Sequence, residues 1–160
     1  KPSSAASDVY KRQVLGEPDG RHGVSRRELM HYVTQGVVIY PGKVKNVLPY
    51  LQDSCVFVLP SYYREGVPRS TQEAMAVGRA VITTDMPGCR ETVIHGVNGF
   101  LVAAHDLDAL QQAMLKFIRQ PELVSSMGRQ SYLIAQDKFD SIKINEKIMQ
   151  VLNLNEVFCN

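Results

Sequence analysis

The chain has 160 residues, 44% hydrophobic and 21% charged, which is ordinary for one soluble globular domain with a real core. Its formal net charge of +2, spread over scattered Lys and Arg, gives no reason to expect a nucleic-acid partner. No apolar run approaches the roughly 20 residues that span a bilayer. The three cysteines (Cys55, Cys89, Cys159) lack metal-type spacing and read as reduced thiols of a cytoplasmic protein.

The first thirteen residues, "KPSSAASDVYKRQ", are mostly small and polar and show no apolar period. They read as a non-native or disordered leader, apart from the fold. Residues 14–160 are expected to form one domain that is incomplete at its start. "QVLGE" is a brief strand that breaks at "GEPDGRHG", a loop rich in turn residues. "SRRELMHYVTQG" is a helix, with Ser25 and Glu28 at capping-box spacing and Gly36 as its stop. "VVIY" (37–40) is an apolar strand ended by Pro41-Gly42. "NVLPYLQDS" is a short helix in which Pro49 is tolerable only near the first turn.

"CVFVLP" (55–60) follows as a buried strand with Cys55 in the core, then "PRSTQEAMAVG" as a helix and "AVITT" as a strand. "MPGCRETVIHG" is expected to be a short helix and "NGFLVA" the last strand. "DLDALQQAMLKFIRQ" puts Leu107, Leu110, Met114, Phe117 and Ile118 on one helical face. Helices over 121–138 and 141–152 close the chain. Val/Ile-rich strands alternating with helices predict an α/β fold, a doubly wound parallel sheet covered on both faces. In such sheets ligands bind at the carboxyl ends of the strands, beside helix N-termini. Glu65 and the Gly66-Val67-Pro68 turn fall at that end of "CVFVLP", and Glu73 falls inside the helix that follows.

The stretch "SYYREGVPRSTQEAMAVGRAVITTDMPGCRETVIHGVNGFLV" (61–102) resembles the donor-binding half of family 4 retaining glycosyltransferases. Those enzymes have the two-domain GT-B architecture. They carry Glu, seven residues, Glu, then Ala-Met-Ala-x-Gly and a strand, a Gly-x-x-Glu element and an Asn-Gly-x-Leu-Val strand. All appear here in order, and the likeness extends from about Val14 to the C-terminus. It implies a Rossmann-like C-terminal half of a GT-B enzyme, truncated at its N-terminal edge.

The resemblance implies roles for the matching residues. Glu65, at the catalytic position, accepts hydrogen bonds from donor-sugar hydroxyls, a task suited to a carboxylate. Gly66 allows close approach of the sugar to the backbone of the Gly66-Val67-Pro68 turn, and Pro68 suits the first helical position. The helix N-terminus at Arg69 and Ser70 holds the diphosphate with its free amides and dipole. Glu73 grips both ribose hydroxyls in a buried clamp, and the nucleobase lies against Lys43 and Val44. The donor is a UDP-sugar, a UDP-hexose or UDP-N-acetylhexosamine, and no essential metal is expected. The acceptor is a glycan or polyprenyl-linked sugar, of the kind used in bacterial surface polysaccharides, and it is selected by an N-terminal domain. The whole enzyme would act in the cytoplasm, in peripheral association with the inner face of the membrane. A non-catalytic nucleotide-sugar module and a nucleotide-sugar epimerase of the same architecture remain as alternatives.

Other readings compete at single positions. Ser70 and Glu73 also have capping-box spacing, though the surrounding motif favours the ligand role. Arg69 and Glu91 also read as surface residues. Asp106-Leu107-Asp108 imitates a metal motif, but it opens an amphipathic helix, where Asp is an ordinary N-cap. The four histidines (His22, His31, His95, His105) have no ligand spacing. The family's Arg and Lys that neutralise the departing diphosphate would precede "QVLGE", where the leader stands, so none is assigned. The chain alone is therefore expected to be inactive.

Overall fold

The computed structural model describes residues 11–18, 23–64 and 66–152. Residues 1–10 of the expected leader, residues 19–22 of the first loop, Glu65 and Cys159 lie outside the described residues. The chain divides between Val47 and Leu48 into two compact units.

In the first unit, β1 (Gln13–Leu15) and β2 (Ile39–Gly42) pair in parallel, with Gln13 opposite Ile39 and Leu15 opposite Gly42. Arg12 and Gln13, at the end of the expected leader, already take part: the Ile39 amide donates to the Arg12 carbonyl at 2.8 Å. Helix α1 (Arg26–Thr34) lies between the strands in sequence and starts as expected. The Glu28 amide donates to Ser25 Oγ at 3.2 Å, and the Ser25 amide donates to Glu28 Oε2 at 2.9 Å, so both halves of the capping box form. Gly36 stops the helix with φ +70°, a backbone region that favours glycine. The strand expected over 37–40 forms two residues later and runs through Pro41-Gly42. It is only half covered, Val37 and Ile39 being exposed.

The second unit opens with α2 (Leu48–Gln52), where Pro49 sits in the first turn. Strands β3 (Val56–Leu59), β4 (Ala80–Thr84) and β5 (Gly99–Val102) form a parallel sheet in that order, with α3 (Arg69–Ala76) connecting the first two. Helices α4 (Leu107–Arg119), α5 (Glu122–Lys138) and α6 (Ser141–Val151) follow. Every residue of β4 is buried. Its alternating side chains feed two cores, as a strand covered on both faces must. Ala80 and Ile82 pack with Phe100 and Val102 against Ala113 and Phe117 of α4 and Met127 of α5. Val81 packs on the other face with Met75 of α3 and Ala135 of α5.

Three local expectations need correction. Cys55 is exposed, because it precedes β3, and the strand itself is only half-buried. Leu107 is 77% exposed at the first position of α4, while Phe117 is buried and Leu110 and Met114 pack against the core. "MPGCRETVIHG" forms turns, not a helix. Gly88 adopts φ +86°, and Asn98 takes groups that a helix would use. Its Oδ1 accepts from the Ile94 amide at 2.7 Å, and its Nδ2 donates to the Thr92 carbonyl at 3.1 Å. Asn98 is fully buried, so this network replaces water for the loop.

Two expected outcomes follow from these contacts. A Cβ on Gly99 would stand 1.7 Å from the Val81 carbonyl oxygen across the β4–β5 pair. Gly99→Ala should therefore cost about 3 kcal/mol, read as a lowered midpoint in urea unfolding. Glu28 titrates below its ordinary value, through the Ser25 side-chain hydrogen bond first and the backbone bond second. A depressed carboxylate stabilises above its unfolded pKa and loses that contribution as pH falls through the folded one. Amide protection in the first turn of α1, taken relative to the intrinsic exchange rate at each pH, should fall on acidification through that range, and the dependence should vanish in Glu28→Gln.

Candidate functional site

The carboxyl end of β4 is tied to the chain leaving β3 by two hydroxyls and to β5 by a backbone amide. Thr83 Oγ1 donates to the Leu59 carbonyl at 2.8 Å, and Thr84 Oγ1 donates to the Ser61 carbonyl. The Asp85 amide donates to the Val102 carbonyl at 2.8 Å. The chain leaving β3 is thus anchored at Leu59 and Ser61 before it turns toward α3. From the sequence these threonines read only as part of a strand. Two hydroxyls ending an otherwise apolar buried run were the available signal, since buried hydroxyls need partners.

Gly66, Val67 and Pro68 lead into α3 as a loop. A side chain at Gly66 would meet nothing within 4 Å, so the backbone there is open to close approach. Gln72 Nε2 donates to the Val67 carbonyl at 3.1 Å and braces the turn from the helix side. Pro68 is the N-cap in extended conformation (φ −64°, ψ 126°), one residue before the first helical position expected for it. Its ring restricts φ but offers no acceptor, so the start of the helix has no side-chain cap. Arg69 is the first helical residue and Ser70 the second. Ser70 is therefore inside the helix, and the Ser70–Glu73 capping box does not form. The first-turn amides keep the partial positive charge of an uncapped helix end.

Glu73 is exposed, not buried, because Thr71, Ala74 and Met75 occupy the sheet side of α3. It has no hydrogen-bond partner among the described residues. With Arg69, Gln72 and Ala76 it lines an open groove of about 390 Å³, opposite Tyr132, Gln136 and Phe139. Thr71 is fully buried, and its hydroxyl lacks a partner among the described residues. The structure thus brings Gly66, Val67, Pro68, Arg69, Ser70 and Glu73 onto one loop and helix start. Lys43 is exposed and Val44 half-buried in the connection after β2, within the first unit. Glu65 lies outside the described residues.

After β4, Asp85 pairs with Arg90 at 3.0 Å, and Arg90 also donates to the Asp85 carbonyl at 2.6 Å. Glu91 is exposed in the following turn. Asp106 acts as the N-cap of α4, its Oδ1 accepting from the Ala109 amide at 2.8 Å. No group of three or more His, Cys, Asp or Glu side chains gathers as metal ligands among the described residues. No helix among them is long and apolar enough to cross a membrane.

A family model described as "Glycosyl transferases group 1" matches residues 7–120. The capsular polysaccharide biosynthesis glycosyltransferase CapM of Staphylococcus aureus is 27% identical over 143 residues, which cover 89% of this chain and 37% of CapM. The N,N'-diacetylbacillosaminyl-diphospho-undecaprenol alpha-1,3-N-acetylgalactosaminyltransferase of Campylobacter jejuni is 29% identical over 108 residues, 68% of this chain and 28% of that protein. Among solved structures, Anabaena HepE in complex with UDP superposes with a TM-score of 0.77 at 24% identity, covering 88% of this chain and 40% of HepE. The chain thus spans well under half the length of these proteins.

The hydroxyl ties give a direct test of how the loop is held. Thr84→Val keeps the side-chain shape but leaves the Ser61 carbonyl without its donor. It should cost about 1–2 kcal/mol of stability and speed amide exchange in the β3–α3 loop more than in α4.

Proposed function

The chain belongs to the glycosyl transferases group 1 family, and on that premise we propose that it binds the nucleotide-sugar donor within a longer glycosyltransferase. The donor in this reading is a UDP-hexose or UDP-N-acetylhexosamine, and the sugar is transferred with retention of configuration. The acceptor is a glycan or polyprenyl-linked sugar, reached by the enzyme at the inner face of the membrane. One observation carries the reading. A helix start without a side-chain cap follows an open glycine turn at a strand end, with a carboxylate one turn deeper that has no hydrogen-bond partner among the described residues.

Each part has work to do in that arrangement. The diphosphate meets the first-turn amides of α3 and the Arg69 guanidinium, which offset charge as the leaving group departs. No metal is required for that step in this proposal. Glu65 takes hydroxyls of the sugar across the Gly66 turn. Glu73 takes both ribose hydroxyls, since an ionised carboxylate accepts two hydrogen bonds. The fold shared with a UDP complex supports the choice of nucleotide, and a relative named for an undecaprenol-linked substrate supports the acceptor class.

Calorimetric titration of UDP and UDP-sugar tests the assignment. Glu73→Ala loses two charge-assisted hydrogen bonds and should weaken UDP by about tenfold or more. Glu73→Gln should fall between wild type and Ala. Glu65→Ala should leave UDP affinity nearly unchanged and weaken the UDP-sugar. Equal UDP affinity for wild type and Glu73→Ala would end the ribose-clamp reading.

A further inference from the structure

One buried hydroxyl of the second unit stands where the donor reading places the diphosphate, yet has no part in it so far. Thr71, the third residue of α3, is fully buried, and its Oγ1 makes no hydrogen bond among the described residues. A buried hydroxyl left unpaired lowers stability, and a valine of the same shape would fill the space without that cost. Threonine in a helix has an ordinary remedy, a bond to the carbonyl four residues back. Thr34 takes it in α1, where its Oγ1 donates to the Met30 carbonyl at 2.9 Å. For Thr71 the carbonyl four residues back is that of Val67, and Gln72 Nε2 donates to it instead, at 3.1 Å.

The backbone accounts for the difference. Met30 lies inside α1, whereas Val67 precedes an extended Pro68 (ψ 126°) and so lies outside α3. A proline before a helix has another option, which Pro121 takes: it is helical (ψ −25°), and its carbonyl accepts the Val124 amide at 3.1 Å. The Gly66-Val67-Pro68 turn has room to move, because a side chain at Gly66 would meet nothing within 4 Å. Helical side chains lean toward the N-terminus, which aims Thr71 at that turn. Gln72 is half-buried and lines the groove with Arg69 and Glu73. Its carboxamide offers two N–H donors and an acceptor, a set suited to ribose hydroxyls and phosphate oxygens. Moving Val67 onto Thr71 would release that carboxamide.

Resting on the donor assignment above, we propose that Thr71 is a positioning residue for the donor. When a nucleotide sugar seats against the Gly66-Val67-Pro68 turn, the Val67 carbonyl passes from Gln72 Nε2 to Thr71 Oγ1. The Gln72 carboxamide then turns into the groove beside Glu73. Calorimetry and NMR on the 160-residue chain test the exchange, with UDP-glucose as the probe. Thr71→Val removes the unpaired hydroxyl and should raise the midpoint of urea unfolding measured without nucleotide. The same variant should bind UDP-glucose about fivefold more weakly, the contribution of one hydrogen bond. Thr71→Ser keeps the hydroxyl and should bind UDP-glucose within about twofold of wild type. Added UDP-glucose should shift the Gln72 side-chain amide signals in wild type and Thr71→Ser, and much less in Thr71→Val.

A lowered urea midpoint in Thr71→Val would overturn the proposal, since the hydroxyl would then be bonded already. So would wild-type affinity in Thr71→Val, or a loss in Thr71→Ser as large as the loss in Thr71→Val. Gln72 signals that stay fixed in wild type at saturation would leave the Val67 carbonyl with Gln72 and end the exchange. Failure of the donor reading looks different: UDP then does not bind, or binds without dependence on Glu73.

Discussion

Val81 sits at the centre of the second unit with its backbone committed on one side and its side chain on another. Its amide donates to the Asn98 carbonyl at 3.1 Å, and it lies opposite Gly99 across the β4–β5 pair at a spacing that excludes any side chain there. A strand buried on both faces can leave no backbone group unpaired and no volume unfilled. Those two demands place β5, then the cores above and below the sheet. The same closeness recurs where α5 crosses the turn after α3: a Cβ on Gly128 would stand 2.3 Å from the Gly78 carbonyl oxygen. Gly99 and Gly128 therefore let β5 and α5 approach β4, and the candidate site stands beside the end of that strand.

The site residues lie on a loop and the first turns of α3, while Thr83 and Thr84 beneath them are buried. Thr83 and Thr84 hold the chain leaving β3, and Gln72 braces the turn into α3. Asn98 performs the same service for the β4–β5 loop. It bonds Thr92 and Ile94 within the loop and reaches Ser131 of α5, whose hydroxyl donates back to the Asn98 carbonyl at 3.2 Å. Such a network is costly when partly satisfied and rigid when complete. Rigid supports of this kind suit a binding loop, because a ligand then need not order the backbone itself.

Chemistry at the α3 start follows from what the sequence withholds as much as from what it supplies. Most helices begin at a Ser, Thr, Asp or Asn that takes a first-turn amide. Helices α1, α4 and α6 do so here, through Ser25, Asp106 and Asp140. Helix α3 begins after Pro68, which cannot accept such a bond, and no side chain among the described residues caps its first turn. Helix α5 also starts after a proline without a side-chain cap, but Pro121 is in helical conformation, whereas Pro68 is extended and follows the Gly66 turn.

Periodicity and punctuation in the sequence by themselves determined the order of strands and helices outside residues 86–96, the capping box of α1, the Asp106 cap and the motif from Glu65 through Val102. These are local properties, written within a few residues of where they act. Tertiary structure alone decided the rest. Cys55 is exposed although it begins an apolar run, because exposure depends on what packs beside a strand. The turns of residues 86–96 replace an expected helix because Asn98, later in the chain, offers their backbone better partners. Pro68 caps α3 from outside, one residue from its expected place, and Glu73 is exposed because the sheet side of the helix belongs to Thr71, Ala74 and Met75. The meeting of Tyr62 with His105 was likewise invisible, since 43 positions separate them in the sequence and only the pairing of β3, β4 and β5 brings them together.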